Sequence, residues 1–165
     1  MKKSLFVFTA FIFLICLSCK QKTDITKEKE AVLKVIQEEG DAYAVNDLNR
    51  VYATQIQDAT SARLADSIIY IGWSQIKDLY ISYIEQNKNQ TDFQNPKNVK
   101  ENAVIKVVGN CAWVICDNIW KFDYKGESSS MNNIEIAFLE KINNQWKISF
   151  NAFVKGSLIK AQQLP

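Results

Sequence analysis

The sequence predicts an α+β fold, in which an antiparallel sheet curls over three N-terminal helices. Three observations lead there. Apolar residues recur at helical spacing before residue 87, β-branched and aromatic runs dominate after residue 103, and turn-forming pairs divide those runs. Helices followed by a strand meander bury both kinds of apolar face only when sheet and helices pack against each other.

The first helix should open at Thr23 or Thr26, with Glu28 and Glu30 favourably placed in its first turn. Ala31, Val32, Val35, Ile36, Ala42 and Tyr43 form its core-facing stripe, and Gly40 within the stripe permits close packing. Asn46-Asp47 interrupts the chain and caps a short second helix carrying Leu48, Val51 and Tyr52. Residues 58–71 read as two short extended pieces. Ser74 then looks like the N-cap of a third helix with Ile76, Leu79, Tyr80, Tyr83 and Ile84. Residues 87–98 are polar, contain Pro96 and read as a loop. Four strands follow, over residues 104–108, 112–122, 134–142 and 146–154. Gly109-Asn110 and Asn143-Asn144 are tight hairpin turns, and Lys125-Gly126 with the serines after it is a longer connection.

The N-terminus has a different character. Lys2 and Lys3 precede an apolar run from Leu5 to Leu17, and Ser18-Cys19 follows. This is the layout of a secretory signal. The run has 13 residues, short of the roughly 20 that a bilayer-spanning helix needs. Leu17-Ser18-Cys19 resembles the lipobox of bacterial lipoproteins, with Cys16 where that motif usually has Leu. The resemblance implies that residues 1–18 are removed, that the Cys19 thiol is lipidated (palmitate is one of the expected acyl chains), and that residues 19–25 are a tether. Lys20 after the cysteine resembles lipoproteins sent to the outer membrane, so the expected location is the cell envelope, lipid-anchored.

Without residues 1–18 the chain carries 18 basic and 18 acidic side chains. It has neither the basic excess nor the clustered Lys/Arg stripe that attracts nucleic acid. It contains no histidine, which excludes Ser-His and Cys-His nucleophiles and His-based zinc sites. Neither a metal nor a cofactor is expected. Cys111 and Cys116 would lie about 16 Å apart on one extended strand, too far for a disulfide, and read as free, buried thiols.

The order of elements, together with Asn46-Asp47-Leu48 through Tyr52-Ala53, Gly72-Trp73, Ala112-Trp113-Val114, Leu139-Glu140-Lys141 and Trp146-Lys147-Ile148, resembles the SnoaL-like branch of the nuclear transport factor 2-like superfamily. The resemblance covers residues 26–155 and leaves 156–165 as a C-terminal tail. It implies a cone, a bent sheet around the helices with an apolar pocket between, and frequent homodimers through the outer sheet face. Members include isomerases, dehydratases, cyclases and non-catalytic binding modules, so the fold alone does not assign an activity.

Strand alternation suggests candidate site residues. Trp113, Ile115, Asp117 and Ile119 share one face of their strand, and Trp146, Ile148, Phe150 and Ala152 one face of the last; these read as inward. With the hairpin centred on Gly126, Asp117 falls opposite Glu135, two carboxyls in an apolar setting that could act as an acid/base pair without histidine. A slip of one residue would dissolve the pair. The alternative is that both carboxylates face water or pair with Arg63, Lys106 or Lys121. The resemblance matches Glu135 to the acidic residue of ketosteroid isomerases, but the tyrosine of those enzymes falls near Glu39, so their chemistry does not carry over. Tyr43, Trp73, Tyr80, Trp113, Ile115 and Phe150 are the candidate ligand contacts. The expected function is binding of a small, partly apolar ligand, with a cofactor-free lyase or isomerase, or an envelope adaptor, as alternatives.

Overall fold

A computed structural model describes residues 24–158. The signal segment, the lipidation candidate Cys19 and the tail beyond Leu158 lie outside the described residues. Helix α1 (Ile25–Ala44) is capped by Asp24, whose carboxylate accepts from the backbone N–H groups of Thr26 and Lys27. The two threonines were the expected caps; the aspartate one residue ahead of the helix holds its orphan donors instead. Helix α2 (Leu48–Ala53) is capped by Asp47, and α3 (Trp73–Lys88) begins one residue before the expected Ser74, after Gly72 at φ 84°.

Strands β1 (Ala62–Ala65) and β2 (Ile68–Ile71) form the small hairpin expected from two extended pieces. The remaining strands are β3 (Phe93–Val108), β4 (Cys111–Tyr124), β5 (Glu127–Ile142) and β6 (Gln145–Lys155). They form one six-stranded sheet in the order β2-β1-β6-β5-β4-β3. The sheet is not purely antiparallel: β1 runs parallel to β6, because the chain returns to that edge only after α3 and three further strands. The polar segment read as a loop is half strand. Beyond Phe93 its backbone pairs with β4, and Asn95-Pro96 sits in a bulge where the ladder skips.

Two connections decide which side chains face inward. Lys125 (φ 51°) and Gly126 (φ 84°) both occupy the left-handed region, making a two-residue turn rather than a longer loop. Its centre lies between the two residues, so Cys116 pairs with Glu135, and Asp117 with Ile134. In β6, Ser149 is an extra residue between the Leu139–Ile148 and Phe138–Phe150 pairs. That bulge reverses the alternation, so Trp146 and Ile148 face inward before it and Asn151 and Phe153 after it.

The interior therefore has two ends along the strands. At the closed end Val32 and Ile36 pack on Val114, Cys116, Ala137, Leu139 and Ile148. The carboxylate of Glu28 seals it, accepting from Lys141 Nζ at 2.7 Å and Trp146 Nε1 at 2.7 Å. At the junction with the open end α1 lies hard against β3. A Cβ on Gly40 would stand 2.2 Å from Asn98 Oδ1, and the Gln37 amide bonds both the carbonyl of Asn98 and the N–H of Lys100. Only glycine lets the helix approach that closely. Among the described residues, no helix is long and apolar enough to cross a membrane.

Candidate functional site

The open end holds a cavity of about 1020 Å³ between α1, the β1-β2 hairpin, α3 and the inner face of β3 to β6. Its floor is built from charged and amide side chains, where the core of the closed end is apolar. Arg63, from β1, is 6% exposed. Its Nη1 donates to Glu39 Oε1 at 2.8 Å, to the Tyr80 hydroxyl at 2.5 Å and to Asn151 Oδ1 at 3.1 Å. Tyr80 donates in turn to Glu39 at 2.5 Å. The Arg63 guanidinium lies over the Tyr80 and Phe153 rings, at 4.6 and 4.8 Å from their centroids. Alongside, Lys100 Nζ donates to Glu135 Oε2 at 2.5 Å and to Asn118 Oδ1 at 2.7 Å. Asn118 links this pair to Asn98 and Asn133.

These two buried ion pairs set the electrostatics of the floor. For Glu39, burial favours the neutral acid, but Arg63 and Lys100, with the hydrogen bonds from Tyr80 and Arg63, outweigh it and hold its pKa below the usual carboxylate range. Glu135 goes the other way. It is fully enclosed, one of its oxygens has no partner among the described residues, and burial together with the nearby Glu39 charge raises its pKa despite Lys100. Burial also pushes the Tyr80 hydroxyl well up, so it stays a neutral donor. Arg63 remains cationic throughout.

Above this floor the wall is aromatic. Tyr43 and Trp120 meet edge to face at 5.6 Å, and Phe93 packs on Phe122 at 4.4 Å beside the mouth. Tyr83 joins Asp66 by a hydrogen bond near the β1-β2 turn.

Of the residues singled out in the sequence, Tyr43 lines the cavity. Tyr80 lies beneath it as a buried hydroxyl donor, and Trp73 packs edge-on against Tyr52 at 5.0 Å in the cluster of Ala42, Val51 and Ile76. Trp113, Ile115 and Phe150 are on the outer face of the sheet, reversed by the tight turn and the Ser149 bulge. The expected Asp117–Glu135 pair does not form, because the one-residue register difference puts the two carboxyls on opposite faces. Asp117 accepts from the Leu158 N–H at 2.8 Å and from Asn102 at 2.6 Å, which lower its pKa. Glu135 pairs with Lys100, and Arg63 with Glu39. The two thiols are free, but Cys111 is exposed at the hairpin and only Cys116 is buried.

Sequence reasoning missed Glu39, Arg63, Lys100, Asn118 and Asn151. Arg63 alternates with apolar Ala62 and Leu64 in a strand, and Glu39 stands next to Gly40 on a helix whose inward stripe is otherwise apolar. A lone charge at an inward position was the available signal. Among the described residues no cluster of His, Cys, Asp and Glu could hold a metal ion. The floor can present donors and acceptors to a polar group, while Glu135 itself is fully enclosed beside Lys100.

No protein-family model and no curated protein matches the sequence. Solved structures do. A nuclear transport factor 2-like superfamily protein from Salmonella enterica is similar with a TM-score of 0.65 at 16% identity, covering 85% of this chain and 99% of that one. An NTF2-like protein with a cystatin-like fold from Novosphingobium aromaticivorans gives 0.64 at 13% identity, over 84% and 86% of the two chains. A cystatin-like protein of unknown function from Nostoc punctiforme gives 0.62 at 15% identity, over 82% and 96%. With helices leading into a curved six-stranded sheet and these structural relatives, the chain has the nuclear transport factor 2-like, cystatin-like α+β fold.

Proposed function

We propose that this chain is a lipoprotein of the cell envelope, anchored through Cys19, whose open-ended cavity binds a small, partly apolar ligand. One observation carries the binding reading: a cavity of about 1020 Å³ with aromatic walls and a floor of convergent polar groups. Burying two ion pairs under a cavity costs stability that an apolar filling would not. Such a floor is retained where its donors and acceptors are used, and concave sites of this size with few placed polar groups are how proteins hold small molecules. The acid/base pair on which a lyase or isomerase was expected has lost its geometry, so binding is the reading supported best.

Calorimetric titration with a metabolite panel tests it, using the wild type and an Ala44→Trp variant that fills the mouth. The reading requires heat from at least one compound that disappears in the filled variant. Flat responses from both remove it. Anchoring is tested separately, by incorporation of labelled palmitate that is lost in Cys19→Ser; label in both proteins, or in neither, removes it. Pairing of two copies belongs to the same proposal. The outer sheet face carries Val104, Phe138 and Val154 at 42–55% exposure beside Trp113 and Phe150. Sedimentation velocity would show a species of twice the mass, whereas a monomer at every concentration would exclude the dimer.

A further inference from the structure

The composition of the cavity wall narrows the ligand beyond "small and partly apolar", an inference that rests on the binding reading above. Eight of the 24 lining residues are Asn or Gln, from Asn118 and Asn133 near the floor, through Asn46, to Gln94 and Asn95 at the mouth. No Leu, Ile or Val is among them. Asn118, Asn133, Gln94 and Asn95 each spend part of their capacity on protein partners; an apolar ligand would strip water from the positions that remain, at a cost for each group. A carboxamide offers two donors and an acceptor in one plane. A surface tiled with carboxamides suits groups that both donate and accept, and hydroxyl is the group that does so.

Arg63 Nε and Asn46 Oδ1 have no partner among the described residues, but both atoms are enclosed, so either would reach a ligand only after its side chain turned toward the cavity. Tyr43, Trp120, Phe93 and Phe153, which also line the cavity, offer ring faces and edges, which pack against the apolar C–H face of a saturated ring.

We infer that the cavity is a saccharide site: a polyhydroxylated ring stacks on the Tyr43–Trp120 wall, its hydroxyls bonded by the amides that line it. The Lys100–Glu135 and Arg63–Glu39 pairs leave the floor formally balanced, so the site takes a sugar through hydroxyls rather than through a charge.

The test is calorimetry on the full chain in lipid nanodiscs, with empty discs subtracted. The probes are cellobiose, lactose, chitobiose and maltose, with N-phenyl-1-naphthylamine as an apolar probe read by fluorescence. At least one disaccharide should bind, with affinity lowered about tenfold by Trp120→Ala and not changed by Lys106→Ala on the outer face. Should the naphthylamine bind in a manner blocked by Ala44→Trp while all four disaccharides stay silent, the cavity is a ligand site but not a saccharide site, and the inference falls alone. Silence of every probe on folded wild type overturns both readings. Because the comparison among probes needs only wild type, a variant that fails to fold does not remove the test.

Discussion

The two ends of the interior are enclosed by the same four strands and the same helix, yet they are built to opposite rules. At the closed end the inward positions are Val, Ile, Leu, Ala, Cys and Trp, and the polar contact is the Glu28 seal on Lys141 and Trp146 at its rim. At the open end the inward positions of the same elements are Glu39, Lys100, Asn118, Glu135 and Asn151. The change falls at two bulges, near Asn102 in β3 and at Ser149 in β6, each inserting one residue and turning the following side chains over. β4 runs through without a bulge and changes character by sequence alone, from Ala112, Val114 and Cys116 to Asn118 and Trp120. The contrast separates what stabilises this fold from the end on which the proposed binding rests. The apolar half supplies burial, and the polar half forgoes some of it for a shaped set of donors and acceptors.

Substitutions in the two halves should differ accordingly. Arg63→Met leaves the Glu39 carboxylate enclosed without its cation, and should cost about 3–5 kcal/mol in urea unfolding. A loss below about 1 kcal/mol would mean that water already solvates the floor. Leu139→Ala, in the closed end, opens a void and should cost about 2–5 kcal/mol while leaving cavity ligands unaffected. Lost binding in that variant would show that the two ends are coupled. Glu28→Gln weakens the seal on Lys141 and Trp146 and should lower stability by about 1 kcal/mol.

Smaller effects sharpen the electrostatic side. Folded Glu135 keeps its proton at pH values where the unfolded side chain, at about 4.3, has released it. The folded state then binds more protons, so Glu135 makes stability fall as pH rises from about 4.3 towards its raised value. Glu39 acts oppositely: its contribution is full above the ordinary glutamate value and is lost as pH falls through its lowered one. Comparing wild type with Glu135→Gln across pH should remove the first slope and keep the second. The thiols offer the mildest check. Cys111 is exposed, whereas burial pushes Cys116 up to about 12. A disulfide reagent should therefore modify Cys111 in the folded chain and reach Cys116 only after denaturation.

The helices and the order of strands were legible in the sequence because the apolar stripe of α1 and the β-branched runs follow their periods plainly. The faces of the sheet were not. β4 is apolar on both sides, with Trp113, Ile115 and Ile119 alternating with Val114, Cys116 and Trp120. Alternation alone could not choose between them, and the choice rested on reading Lys125-Gly126 as a longer connection. A two-residue turn moves the register by one and exchanges the two faces of β4, while Glu135, Ala137 and Leu139 of β5 stay inward. The Ser149 bulge has no compositional mark, so Phe150 was assigned inward and Asn151 outward. Of the ligand contacts, Tyr43 was recoverable because a helix stripe needs no register.

The most direct measurement is native mass spectrometry of the gently purified chain, beside Ala44→Trp prepared in the same way. The account predicts a small-molecule adduct on the wild type that is absent when the mouth is filled. Identical spectra from the two proteins would contradict the claim that the open end is a binding site.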